Sequence, residues 1–244
     1  MDVRFADCRY DLSDPPAALA RYLEGHIPGA AFLDLDTELS DLSIPPEVGG
    51  RHPLPSAEQF AAAAGRAGIG PDTLVVAYDE GMTGGAAHLW WLLRHFGHDD
   101  AAVLDGGLGI WLGPLAQGEE AIEPAIFTPQ ERQDDTITTE EIVERLGDPR
   151  LVLVDSRPGD RYRGEALGLD PVAGHIPGAV SVALSSGAVM PRGVLDAEEI
   201  ACYCGSGVAA SAAVLALHRA GRTDARLYPG SWSEWSRKGL PAET

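Results

Sequence analysis

One motif occurs twice in this chain, as Gly25-His26-Ile27-Pro28-Gly29-Ala30-Ala31 and again as Gly174-His175-Ile176-Pro177-Gly178-Ala179-Val180. The flanking signals repeat in the same order, so one supersecondary unit must be built twice. Ahead of each copy lies a short strand pattern ending in Asp and Arg: Val3-Arg4-Phe5-Ala6-Asp7-Cys8-Arg9, then Leu151-Val152-Leu153-Val154-Asp155-Ser156-Arg157. After each copy come an apolar strand, a small-residue loop and a helix. These are Leu74-Val75-Val76-Ala77-Tyr78 leading to Trp90-Trp91-Leu92-Leu93, and Ala201-Cys202-Tyr203-Cys204 leading to Val214-Leu215-Ala216-Leu217. Gly97 and Gly221 are placed to end the two helices, because glycine tolerates the left-handed C-terminal position. Short apolar strands alternating with helices imply parallel sheets covered on both faces. The expected fold class is therefore α/β, with two similar domains, each a parallel sheet flanked by helices: residues 1–113 and residues 136–244, joined by an aperiodic linker at 114–135. Thr138 and Glu141 are spaced as a capping box for the helix that follows the linker.

The halves are unequal in one place. Ser56-Ala57-Glu58-Gln59-Phe60 starts a capped helix running to about Gly68 before its strand arrives. Asp196-Ala197-Glu198-Glu199-Ile200 carries the same start signal but meets its strand at once, so the second half is shorter by a helix. Either that helix is deleted or a segment is missing between Ile200 and Ala201.

The 244 residues suffice for two domains with cores of their own, and the formal charge of −19 argues against a nucleic-acid partner. No apolar run approaches the roughly 18 residues of a membrane span. The start Met1-Asp2-Val3-Arg4-Phe5 lacks signal-peptide regions. Cys8, Cys202 and Cys204 are too few for a disulfide framework and fit a reducing compartment, so the expected location is cytoplasmic.

The chemistry concentrates at Ala201-Cys202-Tyr203-Cys204-Gly205-Ser206-Gly207-Val208-Ala209. A loop running from a strand into a helix N-terminus gathers backbone N–H groups, and the helix dipole adds positive potential. A thiolate at Cys204 is stabilised there, which lowers its pKa and makes it nucleophilic. Gly205 and Gly207 let the amides turn inward, and Ser206 offers a hydroxyl. The other half places Asp79 where this one places Cys204, which points to one working domain and one supporting domain.

Together, Asp7-Cys8-Arg9, the paired Gly-His-Ile-Pro-Gly-Ala motifs, Cys204-Gly205-Ser206-Gly207-Val208 and Tyr228-Pro229-Gly230-Ser231-Trp232 resemble the tandem-domain rhodanese family of sulfurtransferases over essentially the whole chain. The resemblance implies two rhodanese-like domains, the N-terminal one inactive. It also implies sulfurtransferase activity without a cofactor: Cys204 takes sulfane sulfur from a small anionic donor, becomes a persulfide and passes the sulfur to a thiol or cyanide, thioredoxin being one candidate thiol. Cys-Gly-Ser-Gly-Val favours 3-mercaptopyruvate over thiosulfate as donor, although Ala209 stands where such loops carry Thr. By the same resemblance Ser206 and Asp36 complete a catalytic triad with Cys204. Arg161 binds substrate alongside the loop residues Gly205, Gly207, Val208 and Ala209. The family's second arginine, shortly before the second motif, is absent from Glu165–Ala173, and Arg51 and His52 are the candidates to replace it; their alternative is plain exposed surface.

The competing functions are a cysteine phosphatase, a non-catalytic binding or regulatory module, and a metal site. A phosphatase needs an arginine six residues after its cysteine, and position 210 is alanine. The intact Cys204 loop argues against the module. Metal binding lacks a second ligand pair at zinc spacing. Cys202 reads as core, His26 and His175 as structural, and the five tryptophans as packing.

Overall fold

The computed structural model describes residues 2–81, 84–184 and 189–244. In chain order the first elements are β1 (Asp2–Asp7), α1 (Pro15–Glu24), β2 (Ala31–Phe32), α2 (Pro46–Gly49), α3 (Ala57–Arg66), β3 (Thr73–Tyr78), α4 (Gly85–His95) and β4 (Ala101–Val103). A short 3-10 turn at Gly107–Ile110 follows. The remainder are α5 (Thr139–Glu144), β5 (Leu151–Asp155), α6 (Gly159–Tyr162), β6 (Val180–Ser181), α7 (Arg192–Leu195), β7 (Glu199–Tyr203), α8 (Val208–Arg219), β8 (Arg226–Leu227) and α9 (Ser231–Arg237). No helix among the described residues is long and apolar enough to cross a membrane.

The chain divides into two compact units, one of residues 1–41 and 54–132, the other of residues 42–53 and 133–244. Each holds a four-stranded, all-parallel sheet, in the orders β2-β1-β3-β4 and β6-β5-β7-β8. The α/β architecture expected from the repeat is thus observed twice. Residues 114–132 carry no helix and no strand of their own, but they are tied to the first unit. His26 and Ala116 exchange backbone hydrogen bonds, the Ala125 N–H donates to the Gly65 carbonyl, and the Gln130 N–H donates to that of Phe96.

The repeated motif has the same internal bonding in both units. Tyr78 Oη accepts from the Ile27 N–H at 3.2 Å, and Tyr203 Oη accepts from the Ile176 N–H at 3.1 Å. Tyr22 donates to the Ala30 carbonyl and Tyr162 to that of Ala179. Beneath each motif a buried Asp–Arg pair closes the strand: Arg9 forks onto Asp7 and reaches the Gly25 carbonyl, and Arg157 forks onto Asp155 and reaches that of Gly174. Buried ion pairs persist only when paired and hydrogen-bonded, so the paired carboxylate and carbonyl explain why both residues recur. His26 and His175 turn Nδ1 toward the carbonyls of Tyr22 and Tyr162 and stack on the rings of those tyrosines, as structural residues do.

Ser56 and Gln59 form both halves of a capping box on α3. Thr138 makes only the half in which its hydroxyl accepts from the Glu141 N–H, because the Glu141 carboxylate is drawn instead to Arg226 and Arg145. The helix-start signal at Asp196 is not used. Asp196 ends α7, while Glu199 and Ile200 open β7 in unbroken register with Leu151 and Val152. The burial of Ile200 and the ion pairs of Glu199 with Arg145 and Arg226 outweigh a local capping preference. Among the described residues the second unit therefore has no counterpart of α3. Its edge strand is exposed at Val180, whereas Ala31 on β2 is buried.

Candidate active site

Cys204 follows β7 directly and precedes α8, with Gly207 at the helix cap. Its backbone is clamped by the start of α9. The Cys204 N–H donates to Ser231 Oγ at 3.1 Å, the Trp232 N–H donates to the Cys204 carbonyl at 3.0 Å, and the Ser233 N–H donates to the Gly205 carbonyl at 2.9 Å. Ser231 holds a left-handed φ of 52°, and its hydroxyl in turn donates to the Tyr228 carbonyl. Such strain persists only where the surroundings over-determine it, and here it places the hydroxyl on the cysteine amide. Val208 begins α8, whose first-turn N–H groups have no intrahelical partners. Ala209 is the second residue of that turn.

The two loop glycines serve different ends. Gly207 has φ 86°, and a Cβ there would lie 2.7 Å from the Pro229 carbonyl oxygen. Gly207→Ala should therefore cost about 1–3 kcal/mol and lower turnover together with stability; thermal melting and initial rates of the variant check both. Gly205 is needed for close approach: a Cβ there would lie 2.6 Å from Arg51 Nη2 and 3.8 Å from Arg161 Nη1. Two guanidiniums thus lie against the cysteine loop. Both are held by Asp170, Arg51 through Oδ1 and Arg161 through Oδ2 at 2.8 Å. Burial pulls the Arg51 guanidinium below its ordinary value, the Asp170 carboxylate opposes this, and neighbouring Arg161 adds to the lowering. Arg51 Nε and Arg161 Nε are buried without a hydrogen-bond partner.

Arg51 and His52 are not plain exposed surface. The side chain of Arg51 is 16% exposed, and His52 is buried with Nδ1 2.8 Å from Ser206 Oγ. Segment 42–53, far from the loop in sequence, folds as part of the second unit through the packing of α2 on α9 and the bond from the Arg51 N–H to Ser233 Oγ. Asp36 belongs to the first unit, in the turn after β2, where its N–H donates to the Asp34 carboxylate.

The equivalent loop of the first unit is filled by its own side chains. The Asp79 carboxylate accepts from the N–H groups of Gly81 at 2.7 Å and of Gly84 and Ala86 at 3.2 Å. Glu80, at the position of Gly205, pairs with Arg21 at 3.1 Å, and Arg21 matches Arg161 in the repeat. In the first unit, the N–H groups of the strand-to-helix turn are thus taken up by the turn's own side chain.

Cys202 lies within β7 and Cys8 directly follows β1; burial pushes both thiols up, with Cys204 adding to the rise at Cys202 and Asp7 at Cys8. Among the described residues no cluster of His, Cys, Asp or Glu could hold a metal ion. A cleft of about 260 Å³ lies elsewhere in the second unit, lined by Leu146, Val152, Leu153, Pro177 and Val180. Its charged members Arg145 and Asp148 already pair with each other, and it contains no nucleophile.

Sequence reasoning missed Asp170 and Ser231. Asp170 was legible only as the single acid in an apolar run, Ala166 to Ala173, with no local reason to be there.

Comparison with known proteins settles the family: the rhodanese-like domain matches residues 1–113 and again residues 138–238. The chain belongs to the rhodanese-like family. It carries two such domains, and its relatives in that family are sulfurtransferases. A Pseudomonas aeruginosa protein named "Probable 3-mercaptopyruvate sulfurtransferase" is 40% identical, the match covering 96% of this chain and 89% of the relative. The 3-mercaptopyruvate sulfurtransferase of Homo sapiens is 37% identical, with 93% of this chain and 82% of the relative covered. Among solved structures, SseA from Escherichia coli, described as a 3-mercaptopyruvate sulfotransferase with the rhodanese fold, superposes with a TM-score of 0.80 at 29% identity, covering 94% of this chain and 92% of that one. The rhodanese-like match omits residues 114–137, the stretch without helix or strand.

Proposed function

We propose that this rhodanese-like chain is a sulfurtransferase that loads sulfane sulfur from 3-mercaptopyruvate or thiosulfate onto Cys204 and discharges it to a thiol or to cyanide. The observation that carries the reading is the convergence of Arg51 and Arg161 on Gly205, beside a cysteine at a strand-to-helix turn. A guanidinium pair next to a nucleophile suits an anionic donor, since Arg N–H forks match carboxylate and sulfonate oxygens.

The Cys204 thiolate attacks the outer sulfur of the donor and forms an S–S bond. With 3-mercaptopyruvate the C–S bond breaks, its electron pair leaves on the enolate of pyruvate, and a proton completes pyruvate. With thiosulfate the S–S bond breaks and sulfite departs. An acceptor thiolate or cyanide then attacks the outer sulfur of the persulfide and restores the Cys204 thiolate. Ser206, bonded to His52, is the hydroxyl placed to pass a proton to or from the donor. The loop amides and the α8 dipole stabilise the anionic sulfur in both half-reactions. The inert role of the first unit follows from Asp79, which occupies its turn with a carboxylate that cannot carry sulfur.

The test is sulfur transfer from both donors in parallel, with intact-mass analysis for an added sulfur atom. Loading from either donor supports the reading, and the ratio of kcat/KM values identifies the preferred one. If neither donor loads the cysteine, a rhodanese-like binding module takes its place.

A further inference from the structure

The Asp170 carboxylate is fully buried, and three arginines converge on it: Arg51 at Oδ1, Arg161 at Oδ2 at 2.8 Å, and Arg237 with Nη1 3.5 Å from Oδ1. One negative charge faces three positive ones, so the cluster keeps a surplus of positive charge next to Cys204. Arg237 is anchored separately by the Ser233 carbonyl. Arg51 and Arg161 have no other carboxylate partner among the ion pairs of the described residues. Each binds Asp170 through one terminal nitrogen, Nη1 of Arg51 and Nη2 of Arg161, and carries its opposite one, Nη2 and Nη1 respectively, toward Gly205. The two guanidiniums therefore share one hinge point, and like charges this close would separate without it.

We infer that Asp170 is a positioning residue that sets the donor affinity of the Cys204 site by fixing the spacing and aim of Arg51 and Arg161. The inference rests on the proposal that Cys204 takes sulfur from an anionic donor. It also accounts for the missing arginine before the second motif: the chain supplies a carboxylate there and recruits Arg51 from a distant segment to it. Asp170 itself touches neither donor nor sulfur.

A structural residue and a positioning residue differ in what their loss moves. Asp170→Asn keeps the shape and removes the charge, so KM for either anionic donor should rise about tenfold or more. Discharge of a preformed Cys204 persulfide to dithiothreitol, which needs no anion, should stay within about twofold. Arg51→Ala should raise KM likewise, and the double variant should add little to either single one, because both act on one element. Asp170→Glu keeps the charge and shifts its position by one methylene. It should raise KM with an unchanged melting temperature, and it stands in if Asp170→Asn fails to fold. Calorimetric titration with pyruvate, a non-reacting anion, separates the two ideas: weaker binding in both Asp170 variants supports the positioning role even where no sulfur is transferred. Equal pyruvate binding in wild type and variants, unchanged KM, or multiplicative effects with Arg51→Ala would overturn it.

Discussion

With Cys204 replaced by serine, turnover should fall by about 10³-fold or more and the mass of the protein should no longer increase on exposure to a donor, whereas Cys202→Ser should keep most of its activity. The contrast is the informative part, because the two thiols lie two residues apart on one strand and its exit. Cys202 is at 0% exposure within β7 with its thiol pushed up by burial, so it is held protonated in the core. Cys204 sits one residue beyond the strand, where Ser231, Trp232 and Ser233 hold the backbone and two arginines face the loop. A serine at 204 preserves those backbone bonds and the packing, so the loss is chemical; a hydroxyl at this site is not ionised and cannot hold sulfane sulfur. A serine at 202 puts a hydroxyl in an apolar position and should cost stability, on the order of 1–3 kcal/mol, with the rate per folded molecule preserved. Equal loss of rate in the two variants would remove Cys204 as the nucleophile.

Asp155→Ala should be the most destabilising single substitution of a non-catalytic residue, about 3–5 kcal/mol, which is a large share of the roughly 5–15 kcal/mol that holds a domain folded. Asp155 is fully buried, and Arg157 is 3% exposed. Burial works against the Arg157 charge, yet the hydrogen bonds and charge of Asp155 outweigh it and hold the guanidinium above its ordinary value. Removing the carboxylate leaves a buried cation with no carboxylate bound to it, facing the Gly174 carbonyl at 2.6 Å and the rings of Trp232 and Tyr203, 4.6 Å and 5.9 Å from its guanidinium carbon. Trp232 is the residue whose N–H binds the Cys204 carbonyl, so activity should fall alongside stability. Urea unfolding followed by tryptophan fluorescence reads this, since Trp232 and Trp235 report the second unit and Trp90 and Trp91 the first. Asp7→Ala is the matched control, because it removes the same pair from the other sheet. A change below about 1 kcal/mol in both variants would mean that the pair is not what holds the motif.

The parts of the protein visible in the sequence are those whose signals are local and periodic. Strand runs, the paired motif, Gly97 and Gly221 after their helices, and a cysteine between a strand and a helix all act within a few residues, so the double sheet and the Cys204 turn could be read directly. Where a local signal competed with a long-range one, the long-range one won: the Asp196 start signal yields to the sheet position of Ile200, and the Glu141 half of a capping box yields to Arg226.

The sequence by itself determined that a unit of strand, motif, strand, turn and helix is built twice, and that only one copy puts a thiol in its turn. Tertiary structure alone decided that segment 42–53 folds with the second sheet, that His52 meets Ser206 and that Arg51 joins Arg161 on Asp170. The physical reason is separation along the chain. Arg51 and Asp170 lie 119 residues apart, and their attraction has no periodicity to betray it. It exists only once α2 lies against α9 and the burial of both side chains has removed the water that would otherwise screen their charges.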